Sequence, residues 1–226
     1  MKIDILTLFP EMFTGFLETS IIKRALDEKY VDINVHNFRD YSLDKHKRVD
    51  DYPYGGGAGM VLMCEPIFRA IESLKTDDTI VIMLTPSGKV FKQDIAIDLS
   101  KQKHIILLCG HYEGFDERIK TIVDMELSIG DYVLTGGEVP AMAITDAITR
   151  LIPGVITKES LDYESFNDNL LDYPNYTRPE VFRGMKVPDV LLSGHHKNIE
   201  KYRQDERIRK TKEYRKDLTG GDNFER

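Results

Sequence analysis

Glycine is the residue whose spacing first suggests chemistry in this chain. It clusters in Tyr54-Gly55-Gly56-Gly57-Ala58-Gly59-Met60 and recurs in three later segments. These are Thr85-Pro86-Ser87-Gly88, Gly110-His111-Tyr112-Glu113-Gly114, and Ser128-Ile129-Gly130-Asp131-Tyr132-Val133-Leu134-Thr135-Gly136-Gly137-Glu138. Each of the last three is expected at the end of a strand, where α/β sheets bind ligands. Glycine there admits positive φ and lets backbone N–H and C=O groups touch a ligand directly. One such segment would be turn chemistry; three converging on neighbouring strand ends predict a site lined mainly by backbone. The first cluster is no P-loop, because no Gly-Lys-Ser/Thr follows to hold a phosphate and its magnesium. As a surface loop or as a ligand cover it reads equally well. The usual dinucleotide fingerprint is also missing, since the first strand runs into Phe9-Pro10-Glu11-Met12 with no glycine. Cys64 and Cys109, the only cysteines, have no neighbours at metal-ligand spacing. Two buried thiols in a reduced compartment, and no metal site, are expected.

The scaffold that must hold these segments is legible in the hydrophobic pattern. Short apolar runs at 3–9, 31–36, 79–84 and 104–109 alternate with helix-like stretches at 20–28, 65–74, 92–101 and 116–123. This is the rhythm of an α/β fold, a mostly parallel sheet with helices on both faces. Ser20 and Asp116 are expected as helix N-caps, and 139–151 as one more helix closed by Pro153-Gly154. From Thr157 to about Tyr176 the periodicity disappears, which predicts a linker. Beyond it, 177–192 carries Pro179 and Pro188, and a basic helix is expected from Asn198 with Ile199, Tyr202 and Ile208 inward. The domains expected are therefore 1–155, a linker at 156–176, and a small helical domain at 177–226. Charge follows the same division. Residues 183–216 hold eleven Lys/Arg against five Asp/Glu, a net +6 in a chain whose total is −7. A basic end on an acidic body suits a protein that touches phosphates with one domain and does chemistry with another, although a solvated basic helix explains the charge alone as well. At 41% hydrophobic and 31% charged residues the composition excludes global disorder. No apolar run reaches 18 residues and Met1 opens directly into strand-like sequence, so a cytoplasmic chain with no membrane segment is expected.

At these motifs the sequence resembles the bacterial tRNA (guanine-N1)-methyltransferases, the TrmD family of the SPOUT class. The resemblance rests on Leu8-Phe9-Pro10-Glu11-Met12-Phe13, on Val49-Asp50-Asp51 with Pro53-Tyr54 and the glycines to Met60, and on Cys109-Gly110-His111-Tyr112-Glu113-Gly114-Phe115-Asp116-Glu117-Arg118. It continues through 128–142, Leu170-Leu171-Asp172-Tyr173-Pro174, Tyr176-Thr177-Arg178-Pro179-Glu180-Val181 and Val190-Leu191-Leu192-Ser193-Gly194-His195-His196. Nearly the whole chain is spanned in order.

The resemblance implies a deep C-terminal trefoil knot that holds S-adenosylmethionine, and an obligate homodimer with each active site between two subunits. Carried over residue by residue, Leu84, Pro86, Gly88, Gly110, Tyr112, Glu113, Ser128 and Pro140 line the cofactor pocket. Ile129, Gly130, Asp131, Tyr132, Val133, Leu134, Gly136 and Gly137 hold the adenine and ribose. Asp50, Tyr54, Gly59 and Met60 cover the target base, while Gly194 and His195 contact the tRNA. The implied substrate is the guanosine at position 37. Its N1 bears a proton and a delocalised lone pair, so a base must act. The family pattern usually has aspartate just before Ser165-Phe166; here the residue is Glu164, retained as base, with Asp162 in reserve. Arg150 matches the family's arginine, which steadies O6 or orients the carboxylate. Magnesium is implied as an aid, with no carboxylate cluster to hold it. The rivals are an RNA methyltransferase of the same class with another target base, and a knotted RNA binder without catalysis.

Overall fold

The four apolar runs, with a fifth not foreseen, pair into one parallel sheet. The computed structural model describes residues 1–161 and 163–220. In chain order the elements of the first part are β1 (Lys2–Thr7), α1 (Thr14–Leu17), α2 (Ser20–Asp27), β2 (Asp32–Asn37), β3 (Asp50–Asp51), β4 (Val61–Leu62), α3 (Cys64–Leu74), β5 (Thr79–Val90), α4 (Gln93–Leu99), β6 (His104–Cys109), β7 (Met125–Ser128) and α5 (Glu138–Thr149). The sheet order is β2-β1-β6-β5-β7, and every neighbouring pair is parallel.

Both faces of this sheet are covered, which is why its central strands read as continuous apolar runs. Because side chains alternate along a strand, Ile3, Ile5, Ile82, Leu84, Ile105 and Leu107 fall on one face. They pack with Ile22 and Ala25 of α2, Ile95 and Leu99 of α4, and Ile144 and Ile148 of α5. Leu6, Val81, Met83, Ile106 and Leu108 fall on the other and pack with Ile67, Ala70 and Ile71 of α3. Burying these side chains is worth roughly 1.5–3 kcal/mol each.

Several boundaries differ from expectation for identifiable reasons. The first strand stops at Thr7, and Pro10–Phe13 form a 3-10 turn instead. Ser20 is not an N-cap: Thr19 is the cap residue, its hydroxyl donates back to Gly15 O at 2.7 Å, and no side chain caps α2. Asp116 does cap, accepting from Arg118 N at 3.0 Å, but the element it opens is a 3-10 helix, Glu117–Ile122. The run at 79–84, strand β5, continues past Leu84 to Val90, with a register shift between Leu84 and Lys89 against β7. The segment 85–88 is thus an excursion inside a strand. It was hidden because Met-Glu-Leu-Ser of β7 is too short and mixed to be read as a strand. Gly88 makes the excursion possible: a Cβ there would lie 2.4 Å from Leu127 N.

The chain divides into two compact units, Met1–Ile156 and Thr157–Arg226. The segment expected as linker falls almost wholly in the second, which contains α6 (Lys158–Leu161), β8 (Val181–Phe182), β9 (Met185–Lys186), α7 (Asp189–Leu192) and α8 (His196–Tyr214). Its organisation is polar. No apolar side chain of its described residues is fully buried, whereas Arg207 and Thr211 of α8 are. Thr211 Oγ1 accepts from Leu171 N at 2.9 Å, and Arg207 Nε donates to Leu171 O at 3.3 Å. Arg203 lies 4.7 Å from the Tyr173 ring centre. Ile199, Tyr202 and Ile208, expected inward, are half-buried.

Candidate active site

The mid-strand excursion of β5 and the carboxyl ends of β6 and β7 enclose a cleft of about 220 Å³. The β5 excursion contributes Leu84, Thr85 and Pro86; the turn after β6 contributes Gly110, His111, Tyr112, Glu113, Gly114 and Phe115. The rest of the wall is Leu127, Ser128, Ile129, Gly130 and 132–137, with Pro140 of α5. Of the expected cofactor residues only Gly88 and Asp131 are not in the lining: Gly88 is spent on packing against β7, and Asp131 is exposed. Thr85, His111, Gly114, Phe115, Leu127 and Thr135 line the cleft without having been singled out. Their place beside glycines was the signal available for most of them.

The loop after β7 is shaped by short-range bonds. Ser128 Oγ accepts from Gly130 N at 3.2 Å, and Tyr132 N donates to Gly130 O at 3.0 Å. Gly137 N then donates to Gly110 O at 2.8 Å, tying the loop to the end of β6. Between these anchors the amide N–H groups of Val133, Leu134, Thr135 and Gly136 donate to no acceptor among the described residues. Val133, Leu134 and Thr135 are exposed, so these donors are open to solvent or to a ligand in the cleft. Four successive ones lining an otherwise apolar cleft suit the ring nitrogens and hydroxyls of a nucleoside. On the opposite wall Tyr112 holds a positive φ of 58°, Phe9 packs on His111 at 4.8 Å between ring centres, and Arg39 donates to Tyr112 Oη at 3.3 Å.

The glycine-rich first cluster is stitched to this wall. Asp50 pairs with Leu62 across β3 and β4. Leu62 N donates to Gly114 O at 2.9 Å, and Glu113 N donates to Met60 O at 3.0 Å. The Glu113 side chain lies against Gly59, where a Cβ would approach it to 2.4 Å. Tyr54 is fully exposed. Below the turn, the Arg118 guanidinium holds the Asp116 carboxyl well below the usual carboxylate range.

Arg150 follows α5 as its C-cap residue, its amide donating to Asp146 O at 3.1 Å. Glu164, Gly194 and His195 belong to the second unit. Glu164 is half-buried, and its amide donates to Leu161 O at 3.4 Å. His195 is the exposed cap residue of α8, with Nδ1 3.1 Å from Ser193 O. Asp162 lies outside the described residues. Among the described residues, no three His, Cys, Asp or Glu side chains gather as a metal site, and no helix is long and apolar enough to cross a membrane.

Residues 1–221 match the family model described as tRNA (Guanine-1)-methyltransferase TrmD. The chain belongs to this family. Among curated proteins named tRNA (guanine-N(1)-)-methyltransferase, the TrmD-family chain is 57% identical to one from Dictyoglomus turgidum over 219 residues, 96% of this chain and 89% of that one. It is 58% identical to one from Staphylococcus haemolyticus over 221 residues, covering 96% and 90%. With the protein from Malacoplasma penetrans the identity is 59% over 218 residues, 96% of each chain. The similarity therefore takes in both units, including the polar second one.

Proposed function

We propose that the protein transfers the methyl group of S-adenosylmethionine to N1 of a guanosine in tRNA, the guanosine at position 37 beside the anticodon. The observation that carries this reading is the cleft between the β5 excursion and the carboxyl ends of β6 and β7, with the open amides at 133–136, in a chain of the TrmD family. The fit to the cofactor is supported by the close seat of this loop on the end of β6: a Cβ at Gly136 or Gly137 would collide with His111 or with the backbone of Cys109 and Gly110, so glycine is what lets the main chain line the cleft there. S-adenosylmethionine bound there would supply a methyl group already activated on a cationic sulfur.

The chain's own residues have three remaining tasks. The wall at 110–114 and 128–137 fixes the donor so that the transfer runs in line, and fixing geometry in advance can supply several kcal/mol of a barrier. Glu164 takes the proton from guanine N1 as the general base. Arg150 steadies the charge that moves onto O6, as a fixed guanidinium can. Asp50, Tyr54, Gly59 and Met60, coupled to the wall through Met60 and Leu62, cover the base.

Four finer features belong to the same reading. A trefoil knot of the SPOUT class is supported by the close passage of Gly88 against β7 and of Gly137 against the end of β6. A tRNA-binding role for the second unit is supported by the net charge of +6 carried by its residues 183–216. A homodimer with shared active sites is supported by that unit's lack of fully buried apolar side chains among the described residues. A cytoplasmic location goes with a tRNA substrate, and magnesium is assigned no protein ligands. Incubating the purified protein with methyl-labelled cofactor and a tRNA bearing guanosine 37 tests the reading. Labelled 1-methylguanosine in the nuclease digest is expected; its absence overturns the assignment.

A further inference from the structure

Behind the cleft wall stands a carboxylate that none of the expected site residues accounts for. Glu138 is 2% exposed, and its Oε1 accepts from the Thr7 hydroxyl at 2.7 Å, a contact between residues 131 apart in sequence. Thr7 is itself fully buried, and its Oγ1 accepts from Phe9 N at 2.9 Å. The second oxygen faces the cleft wall. A Cβ placed on Gly136 would lie 2.3 Å from Glu138 Oε2 and 2.7 Å from His111 Nδ1, and both Gly136 and His111 line the cleft. The Gly136 backbone stands between this carboxylate and the cleft. No Lys or Arg pairs with it among the described residues, and the titratable groups that face it are His111, whose Nδ1 is buried without a partner, and the Cys109 thiol.

Electrostatics give the carboxylate a purpose. Glu138 is the first residue of the 12-residue α5, and Gly137 at the cap position offers no side chain to the free amides. The amino end of a helix carries about half a positive charge. Gly136, Gly137 and Pro140 bring that end directly to the cleft. Alone, it would repel a cation from a pocket whose other walls are mainly apolar. A buried carboxylate at the first position offsets the helix end and reverses the sign of the local potential. Glu113, the only acid in the lining, is exposed, so solvent screens it.

We propose that Glu138 is the specificity-determining residue that makes this cleft favour a cationic sulfonium over the corresponding neutral thioether. The inference rests on the reading of the cleft as the S-adenosylmethionine site. It assigns Glu138 a role on both sides of the reaction: the charged donor is held, and the product, once its sulfur is neutral, loses that part of the attraction.

Calorimetric titration of S-adenosylmethionine and S-adenosylhomocysteine into the wild-type protein and the Glu138→Gln variant tests it. At an effective dielectric of about 20, a unit charge within about 10 Å of a cation is worth at least about tenfold in affinity. Glu138→Gln should therefore weaken binding of the sulfonium about tenfold and leave binding of the thioether within about twofold, the latter also establishing that the variant is folded. Glu138→Asp, which keeps the charge, should keep the preference. Equal losses for both ligands in Glu138→Gln, or a preference lost equally in Glu138→Asp, would mean that the residue only packs, and would overturn the proposal. If Glu138→Gln binds neither ligand, Thr7→Val carries the test: it should lower the sulfonium-to-thioether preference about threefold, and an unchanged preference overturns the proposal. A wild-type protein that binds neither ligand would instead refute the cofactor reading itself.

Discussion

Replacing Gly137 by alanine should open the cleft wall without altering any group that a ligand contacts through a side chain. Gly137 has φ −84° and ψ −2°, which any residue adopts, so the whole effect must come from contact. The added Cβ would stand 2.6 Å from Cys109 Cα and 2.7 Å from Gly110 N. Carbon atoms pack best at about 3.5–4.0 Å, so the loop must retreat by about 1 Å. It is the loop that yields, because Cys109 is the last residue of a fully buried central strand. The retreat strains the 2.8 Å bond from Gly137 N to Gly110 O. Overpacking at about 1–3 kcal/mol and a weakened hydrogen bond at about 1 kcal/mol give a loss of roughly 2–4 kcal/mol. At about 2–4 °C per kcal/mol for a chain of this size, the melting temperature should fall by about 5–15 °C. The amides at 133–136 move with the loop, so cofactor affinity should drop more than about tenfold. Thermal unfolding and calorimetry on the Gly137→Ala variant measure both. Wild-type melting temperature together with wild-type affinity would refute the reasoning from close approach.

Further outcomes follow from the same geometry. Glu164→Gln should abolish methyl transfer in a single-turnover assay while changing cofactor affinity less than about twofold; an active variant would move the base elsewhere. Asp4 is fully buried among His36 (3.0 Å), His104 (2.8 Å) and Lys2 (2.8 Å). Burial raises its pKa, but the hydrogen bonds from His36, Lys2 and His104 outweigh it and hold the carboxyl well below its usual range. Its stabilisation is therefore complete above a pH of about 4 and is lost as the pH falls toward the depressed folded value. Asp4→Asn should cost about 3 kcal/mol near neutrality and flatten the acid-side decline in a urea-unfolding series; an unchanged acid slope would contradict this. Lys197 and Lys201 are exposed on α8. Changing both to alanine should weaken tRNA binding and lower the slope of log K against log salt by up to about 2, and an unaltered slope would remove α8 from the phosphate-binding surface.

What the sequence disclosed and what it withheld divide along contact range. The runs at 31–36, 79–84 and 104–109 were legible because strands buried on both faces must be apolar throughout. The cleft was legible because glycine marks where backbone approaches a ligand or another strand, and the turn chemistry of Ser128-Ile129-Gly130 and Gly136-Gly137 is local. β7 was not legible: its stability comes from pairing with a strand more than thirty residues earlier, on both sides of an excursion. Glu138 was only the last residue of a glycine segment in the sequence, and the fold alone brings Thr7 and His111 to it. Ser20 illustrates the reverse case, a correct residue type for a cap beside a threonine whose hydroxyl was already engaged. In the second unit the period of α8 found the inward side, where Ile199, Tyr202 and Ile208 are half-buried, but not that the side chains it buries fully are Arg207 and Thr211.

The backbone amides at 133–136 are the binding surface proposed for the cofactor. An amide-resonance titration of the labelled protein with S-adenosylhomocysteine reads these groups directly. The predicted result is that Val133, Leu134, Thr135 and Gly136 shift most, together with 110–114, and that 55–57 shift little. Unmoved resonances at 133–136 with saturable shifts elsewhere would contradict the account.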